Sequence, residues 1–317
     1  MMLFLTTDGV GTQVNETLAA GASSHALIKD RATICVVNYR TLEYTRLCLR
    51  SIRRFTDYPA DIVVVDNDSG DESTEYLRSL SWINLLSRSC RRDSGGSEAH
   101  SRALDLGFSQ CRTEYFVVLH SDTFVRRSGW LSELIGYFDD ATACVGSGKL
   151  EMRPQWQQTL RKVTDWRMHL RRLRSAPSLS LKYRYYNRTI CCIYRTAVLR
   201  NEGLCFDTGG RKDLNPGKQL YFDLVDRGYP TVELPSYVMS RYVWHIAHAT
   251  EAAVIRNPKK RLRTINKSRR RIASIMSDKT IREIMHNDSL DGEALVGSRS
   301  AAGVRSTFAG RPATATA

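Results

Sequence analysis

The hydrophobic positions of this chain fall into short continuous runs that alternate with amphipathic stretches. Residues 62–65 and 115–119 are two such runs, and Asp66 and Asp122 stand in the polar residues that follow them. Short apolar runs bounded by turn residues are typical of strands buried in a parallel sheet. Since strands that alternate with helices indicate βαβ units, the pattern predicts an α/β fold with a mainly parallel central sheet flanked by helices.

The same pattern predicts the order of the elements. In the first predicted helix, Leu47, Leu49 and Ile52 are interleaved with arginines, as in a helix with one face in the core. The predicted strands cover residues 33–37, 62–65, 83–86, 115–119 and 231–235, a strand and turn cover 190–198, and the predicted helices cover 42–55, 74–80, 98–108 and 219–227.

Composition divides the chain into four segments. Residues 1–30 are rich in Gly, Ala, Ser and Thr without a period and predict a flexible leader. Residues 31–250 form the predicted α/β domain. Residues 251–288 are basic, with isoleucines at roughly helical spacing, and predict an amphipathic helix or helix pair. Residues 289–317 return to small residues and predict a disordered tail.

The charge of the chain is strongly positive. Lysine and arginine number 47 against 33 aspartates and glutamates, a net charge of +14. This excess indicates an anionic partner, or else a merely solubilising surface. The basic run between residues 256 and 271 fits either an anionic membrane, where lipid-linked acceptors lie, or the phosphates of a nucleic acid.

The cysteines and the apolar segments bear on location. The eight cysteines form no CxxC pair, which favours reduced thiols in a cytosolic setting. The N-terminus lacks the basic leader of a signal peptide, and no stretch reaches the roughly 18 apolar residues of a transmembrane helix. We therefore expect a cytoplasmic protein, and the basic run adds the alternative of peripheral contact at the inner face of a membrane.

Acidic residues follow two of the predicted strands. The carboxyl ends of parallel strands face one crevice, where open α/β sheets bind their ligands. Asp66 is suited to accept a hydrogen bond from a base or a ribose, although residues 66–70 also have the composition of a simple turn. Asp122 is suited to hold a divalent cation on phosphate oxygens. Residues 38–40 contain no glycine-rich turn, which argues against a Rossmann dinucleotide site.

The segment from residue 32 to about 250 resembles the family-2 glycosyltransferases, whose fold is called GT-A. Four elements carry the resemblance in the same order. They are the strand and polar turn at residues 34–40, the acid-rich turn at 63–69, the glycine-containing loop at 93–99 and the strand with a metal motif at 118–123. The resemblance implies transfer of a sugar from a nucleoside diphosphate-sugar to an acceptor hydroxyl, with Mn²⁺ or Mg²⁺ as cofactor and inversion at the anomeric carbon.

The resemblance also implies roles for individual residues. Asp66 would contact the base or ribose, and Asp122, the last residue of the family's DxD-like triplet, would bind the cation. His120 stands at the first position of that triplet, where the family has Asp or Asn. The predicted donor-binding residues are Val37, Asn38, Arg40, Asp66, Asp68, Gly95 and Ser121.

The catalytic base is less well defined by the resemblance. Many relatives carry a Glu-Asp pair about ten residues before a Gly-Tyr, which here is Gly228-Tyr229, and no acid stands at the corresponding place near residues 216–217. The nearest acids are Asp213, which we favour, and Asp207. Either is alternatively a turn residue.

Two further segments bear on the metal and the acceptor. His245 and His248 resemble a late histidine segment that some relatives place near the metal, and we favour His248 over His245 as a ligand, with a buried structural histidine as the alternative. Aromatic residues and arginines alternate between residues 152 and 188. They predict either an acceptor platform or an amphipathic helix.

Two other functions stay open at this point. One is a glycosyltransferase-like protein that binds without catalysis, which the missing acid pair favours. The other is a nucleic-acid-associated protein that glycosylates bases, which the basic segment favours. The sequence does not identify the sugar, the nucleotide or the acceptor.

Overall fold

The computed structural model describes residues 26–90, 95–148, 150, 186–209, 211, 214–246 and 258–292. In these ranges the strands are β1 (Ile28–Asn38), β2 (Ala60–Asp66), β3 (Asn84–Ser87), β4 (Thr113–His120), β5 (Thr123–Val125), β6 (Cys144–Gly146), β7 (Cys191–Arg195), β8 (Thr231–Glu233) and β9 (Val243–His245). The helices are α1 (Leu42–Phe55), α2 (Glu72–Ser79), α3 (Gly96–Ser109), α4 (Trp130–Ile135), α5 (Thr196–Asn201), α6 (Lys218–Asp226), α7 (Ser236–Met239), α8 (Pro258–Met276) and α9 (Lys279–Met285), followed by a 3₁₀ turn (Asp288–Leu290).

Seven of the described strands form a central sheet in the spatial order β3-β2-β1-β4-β7-β6-β8. The pairs β1–β2, β1–β4, β2–β3 and β6–β8 are parallel, whereas β7 runs antiparallel to β4 and β6. The strands β5 and β9 form a separate antiparallel pair. The predicted α/β fold with a mainly parallel sheet is confirmed.

Alternate residues of the central strands are buried on the two faces of the sheet. Ile34 and Val36 of β1 pack on one face, in the hydrophobic cluster that also contains residues of α1 and α2. Cys35 and Val37 pack on the other face, in the cluster that contains residues of α3 and α6. Both faces are therefore covered, which explains why the strands read as continuous apolar runs.

The C-terminal segment (residues 258–292) packs against the α/β domain. Ile275, Ile281 and Ile284 form a buried cluster with Leu47 of α1 and Phe124 of β5. The predicted basic helix pair is present as α8 and α9, and Lys259, Arg263, Arg269 and Arg270 of α8 are exposed. The predicted contact of this segment with an anionic membrane or a nucleic acid stays a prediction. Among the described helices, none has the length and apolar character needed to span a bilayer.

A buried arginine fixes this segment to the domain. The side chain of Arg50, 2% exposed, donates to Asp291 Oδ1 at 3.0 Å, to Asp288 Oδ1 at 2.5 Å and to the Met285 carbonyl. Tyr76 of α2 donates its hydroxyl to the same Asp291 oxygen at 2.8 Å. Residues 289–292, which the sequence predicted as the start of a disordered tail, are therefore held against the domain, and residues 293–317 lie outside the described residues.

The predicted leader also overlaps the fold. The strand β1 begins at Ile28, whose N–H donates to the Arg112 carbonyl at 2.9 Å. Residues 28–30 consequently belong to the sheet, because the amino end of β1 forms a hydrogen bond with Arg112, the residue before β4. Residues 1–25 of the predicted leader lie outside the described residues.

Candidate active site

Asn38, the last residue of β1, is the centre of a buried hydrogen-bond network at the carboxyl end of the sheet. Its strand neighbour across the parallel ladder is Asp66. The side-chain amide nitrogen of Asn38 lies 2.9 Å from Asp66 Oδ1, 3.0 Å from Ser69 Oγ and 2.8 Å from Ser73 Oγ. Its oxygen accepts from Thr45 of α1 at 2.7 Å. The Asn38 network therefore joins β1, β2, α1 and α2 at one point and fixes the turn after β2.

Asp66 is buried in this network and retains room to accept further hydrogen bonds. Its second oxygen accepts from the Thr74 hydroxyl at 2.8 Å. Each carboxylate oxygen has two lone pairs, so the two contacts with Asn38 and Thr74 leave acceptor sites on both oxygens. A carboxylate held rigidly at a strand end in this way is suited to recognise a hydroxyl or a ring N–H.

The turns after β1 and β2 are tied to each other. Arg40, with a φ of 52°, donates its backbone N–H to Ser69 Oγ at 3.1 Å and its Nε to the Ser69 carbonyl at 3.0 Å. Asp68, with a φ of 64°, accepts from the Cys90 N–H at 3.2 Å. Backbone strain of this kind persists where surrounding contacts hold it and is concentrated at functional sites. Arg40 and Asp68 therefore border the Asn38 network, and their predicted contact with a nucleotide donor stays a prediction.

Three side chains with metal-binding atoms meet next to this network. His120 ends β4 and lies beside Val37 in the ladder with β1, and Asp122 follows two residues later. The β5–β9 pair places His245 opposite Thr123, so its Nε2 lies 3.1 Å from Asp122 Oδ1. His120 Nδ1 lies 3.9 Å from the same oxygen. The ligand atoms of the His120–Asp122–His245 cluster are all within 4.8 Å of one another.

Two spacings in this cluster, 3.1 and 3.9 Å to Asp122 Oδ1, lie in the range expected between ligands of one octahedral cation, whereas the full span of up to 4.8 Å is somewhat wider. Adjacent ligands of an octahedral ion with bonds of about 2.1 Å stand about 3.0 Å apart, and opposite ligands about 4.2 Å. His245 Nδ1 lies 2.9 Å from the Leu150 carbonyl, an acceptor that places the proton on Nδ1 and directs Nε2 at Asp122. Nε2 and a carboxylate oxygen at 3.1 Å need a shared proton or cation between them.

The imidazoles of the cluster differ in their proton affinity. Burial, together with the neighbouring His100 ring, lowers the pKa of His120 to about 3, although 28% of its side chain is exposed. His120 Nε2 lies 3.3 Å from the Thr189 hydroxyl, and its Nδ1 is the ring nitrogen that faces Asp122. Burial alone would lower the pKa of His245, but the charge of Asp122 and its hydrogen bond outweigh burial and raise it.

Metal affinity is expected to increase with pH. Because the pKa of His245 is raised by Asp122, a cation that binds below this pKa must displace the imidazole proton, and affinity rises until pH exceeds this pKa. In the metal-free protein the same proton stabilises the fold, fully below the unfolded pKa of about 6.5 and progressively less as pH rises through the folded pKa. Calorimetric titration with Mn²⁺ in buffers of different ionisation enthalpy measures the proton release, and release that does not decrease towards high pH would contradict this assignment.

The structure positions the other predicted site residues as follows. Ser121 is buried with its hydroxyl 3.4 Å from that of Thr41, and Gly95 precedes the first turn of α3. Asp207 accepts from Arg102 of α3 at 3.2 Å and from the Gly209 N–H at 3.1 Å. His248 and Asp213 lie outside the described residues, so the preference for them stays a prediction.

His120 is the member of the cluster that the sequence analysis did not predict as a ligand. His120 departs from the acidic triplet of the family, but the spacing in His-x-Asp is the same as in Asp-x-Asp. Because imidazole can itself bind a metal, this spacing is the sequence feature that could have indicated His120. No sequence pattern indicates that His120 contacts Thr189 or that His245 contacts the Leu150 carbonyl, because the two residues of each pair are far apart in the chain.

The chain belongs to glycosyl transferase family 2. The family model with this description matches residues 33–201, more than half of the 317 residues. The sheet and the order of the elements give it a fold of the GT-A type, as the sequence predicted.

The chain is also similar to solved structures of low sequence identity. One is the mannosyltransferase PcManGT from Pyrobaculum calidifontis in complex with GDP-Man and Mn²⁺, at 19% identity and a TM-score of 0.47, over 65% of this chain and 55% of that one. Another is S. aureus TarS 1-349 in complex with UDP-GlcNAc, at 17% identity and a TM-score of 0.46, over 80% and 70% of the two chains. The chain thus spans little more than half the length of the mannosyltransferase. No curated protein sequence matches it.

Proposed function

We propose that this protein transfers a sugar from a nucleoside diphosphate-sugar to an acceptor hydroxyl in a metal-dependent, inverting reaction. The observation that supports the proposal is the His120–Asp122–His245 cluster, which lies at the end of β4 beside the Asn38 network. Bound there, a divalent cation supplies Lewis-acid stabilisation to a departing diphosphate. The same juxtaposition favours catalysis over a protein that only binds.

The residues of the Asn38 network would hold the nucleoside. Asp66 is fixed by Asn38 and Thr74 and would accept from the ribose or the base with its remaining lone pairs. The strained backbone at Arg40 and Asp68 would border the nucleoside, and Val37 lies beside His120.

Asp213 is the acid we propose as catalytic base. What supports it is its position before α6 and the engagement of its rival, Asp207, with Arg102. Arg102 and His100 are two residues apart and so lie about 200° apart around α3. Since the His100 ring meets the His120 ring at 4.9 Å, Asp207 lies on a different side of α3 from the cluster.

The proposed activity can be tested with a panel of UDP-, GDP- and dTDP-sugars. We expect release of nucleoside diphosphate from one donor with Mn²⁺ and its loss with EDTA. Thermal stability is measured beside release, because an enzyme that awaits its acceptor still binds donor and cation. Release that persists in EDTA would contradict metal dependence, and failure of every nucleotide and cation to shift thermal stability would contradict the activity itself.

His120→Asp is expected to change which cation the enzyme uses. Mg²⁺ prefers oxygen ligands, whereas an imidazole nitrogen favours transition ions such as Mn²⁺. Replacing one of two imidazoles by a carboxylate should raise the Mg²⁺-to-Mn²⁺ activity ratio by about tenfold, the equivalent of about 1.4 kcal/mol. Activity at saturating Mg²⁺ and at saturating Mn²⁺ gives the ratio, and His286→Asp, at an exposed site on the C-terminal segment, serves as control. An unchanged ratio would place His120 outside the ligand set.

A further inference from the structure

One face of the helix α8 is basic and exposed to solvent. The exposed residues that form it are Lys259, Leu262, Arg263, Arg269 and Arg270. With 3.6 residues in each turn of an α-helix, these five positions fall within about 120° around the helix axis, and Ile275 lies opposite their centre. Ile275 is buried, so the helix has one side in the protein and one in solvent. The five exposed residues are called the α8 face below.

The buried side of α8 fixes the orientation of the α8 face. Ile275 packs in a hydrophobic cluster with Leu47 of α1, and Arg271 donates a hydrogen bond to the Ile246 carbonyl. Ile246 directly follows His245, a member of the His120–Asp122–His245 cluster. The α8 face therefore points away from the domain, on a helix that is tied to the strand carrying one of the proposed metal ligands.

The positive charge of the α8 face is not balanced by neighbouring acids. Residues 252–277 contain nine lysines and arginines and no aspartate or glutamate. Among the residues that the structure describes, no carboxylate lies within 4.0 Å of the four cationic head groups of the α8 face. These head groups are exposed rather than buried, so they are available to an external anionic surface, where each contributes to binding.

The composition of the α8 face favours a lipid surface over a nucleic acid. Leu262 is 58% exposed between Lys259 and Arg263, and an apolar side chain among cations is typical of helices that lie in a membrane interface. The helix contains no aromatic residue on which a base could stack. We propose that the α8 face binds the surface of an anionic lipid bilayer, with its cations on the lipid phosphates and Leu262 between the head groups.

Binding of the full-length protein to lipid vesicles tests this proposal. The vesicles contain phosphatidylcholine alone, or phosphatidylcholine with about one third phosphatidylglycerol, which carries the negative charge. We expect binding to the anionic vesicles at physiological salt, and Arg263→Gln/Arg269→Gln to weaken it roughly thirtyfold, as the loss of two surface charges implies. The matched control is Arg78→Gln/Arg112→Gln, which removes two exposed arginines outside α8 and should bind as the wild type does.

A second variant tests the apolar contact separately. Leu262→Asn keeps every charge of the α8 face, and we expect it to weaken vesicle binding about tenfold, because less apolar surface enters the interface. Thermal melting of each variant checks that it is folded, as expected for substitutions at exposed positions.

Three results would overturn the proposal. The first is equal binding to both kinds of vesicle, and the second is unchanged binding of Arg263→Gln/Arg269→Gln. The third is binding to a DNA duplex without binding to anionic vesicles, which would assign the α8 face to a nucleic acid. The vesicle assay contains neither nucleotide nor divalent cation, so its result is independent of the proposed sugar transfer.

Discussion

Asp122→Asn is expected to lower sugar transfer by roughly 10³-fold. The substitution keeps the size of the side chain but removes the charge that lies 3.1 Å from His245 Nε2 and 3.9 Å from His120 Nδ1. Asp122 is the one carboxylate in this described cluster, so an asparagine would leave the cluster with neutral ligands alone. Loss of a metal's stabilisation of a leaving group costs several kcal/mol, and about 4 kcal/mol corresponds to this factor.

Transfer by Asp122→Asn should be measured together with Mn²⁺ affinity. The matched control is Asp61→Asn, the same substitution near the amino end of β2, where the carboxylate pairs with Arg31 at 2.6 Å. We expect the control to retain the affinity and rate of the wild type. An Asp122→Asn enzyme with normal Mn²⁺ affinity and more than about a tenth of the wild-type rate would contradict the metal assignment.

Arg50→Met is expected to destabilise the fold by about 3 kcal/mol. The substitution leaves the mainly buried carboxylate of Asp291 with the Tyr76 hydroxyl as its remaining partner in this contact. Burial alone would lower the pKa of Arg50, yet the hydrogen bonds to Asp291 and Asp288 outweigh burial and raise it, which marks these contacts as favourable. Asp288 is 91% exposed, so most of the effect should come from Asp291.

The destabilisation caused by Arg50→Met should extend to the His120–Asp122–His245 cluster through a chain of contacts. The Ile246 N–H donates to the Asp122 carbonyl at 2.9 Å, Ile246 packs with Ile275 and Ile281, and its carbonyl accepts from Arg271. Urea denaturation gives the change in the free energy of unfolding. Arg227→Met, which breaks an exposed pair with Glu202, should cost under about 1 kcal/mol, and an equal cost for the two variants would show that Arg50 does not hold the C-terminal segment.

The sequence predicted those parts of the fold that have a long helical pattern or a continuous apolar run. Residues 42–55 were predicted as a helix and form α1 with these bounds, and the apolar runs before Asp66 and Asp122 form β2 and β4. Because these strands are buried on both faces of the sheet, their successive residues are hydrophobic. The strand ends then predict which acids share an edge of the sheet, because the register of parallel strands aligns Asn38 with Asp66.

The remaining parts depend on contacts between distant residues. The strands β5 and β9 have three residues each, too few for a period, yet their pairing brings His245 to Asp122. The arginines of α1 suggested a solvent-facing side, but Arg50 is buried because Asp291, 241 residues later, supplies its partner. A local pattern contains no information about such a partner.

The most direct test of the account is the position of the cation in crystals grown with Mn²⁺ and the nucleoside diphosphate that the enzyme releases. Anomalous scattering at the manganese edge locates the ion independently of any model of the protein. The account predicts one strong peak bound by Asp122 Oδ1, His245 Nε2 and His120 Nδ1, beside the diphosphate. A manganese peak that lies away from Asp122, or a bound nucleotide without a peak at this cluster, would contradict it.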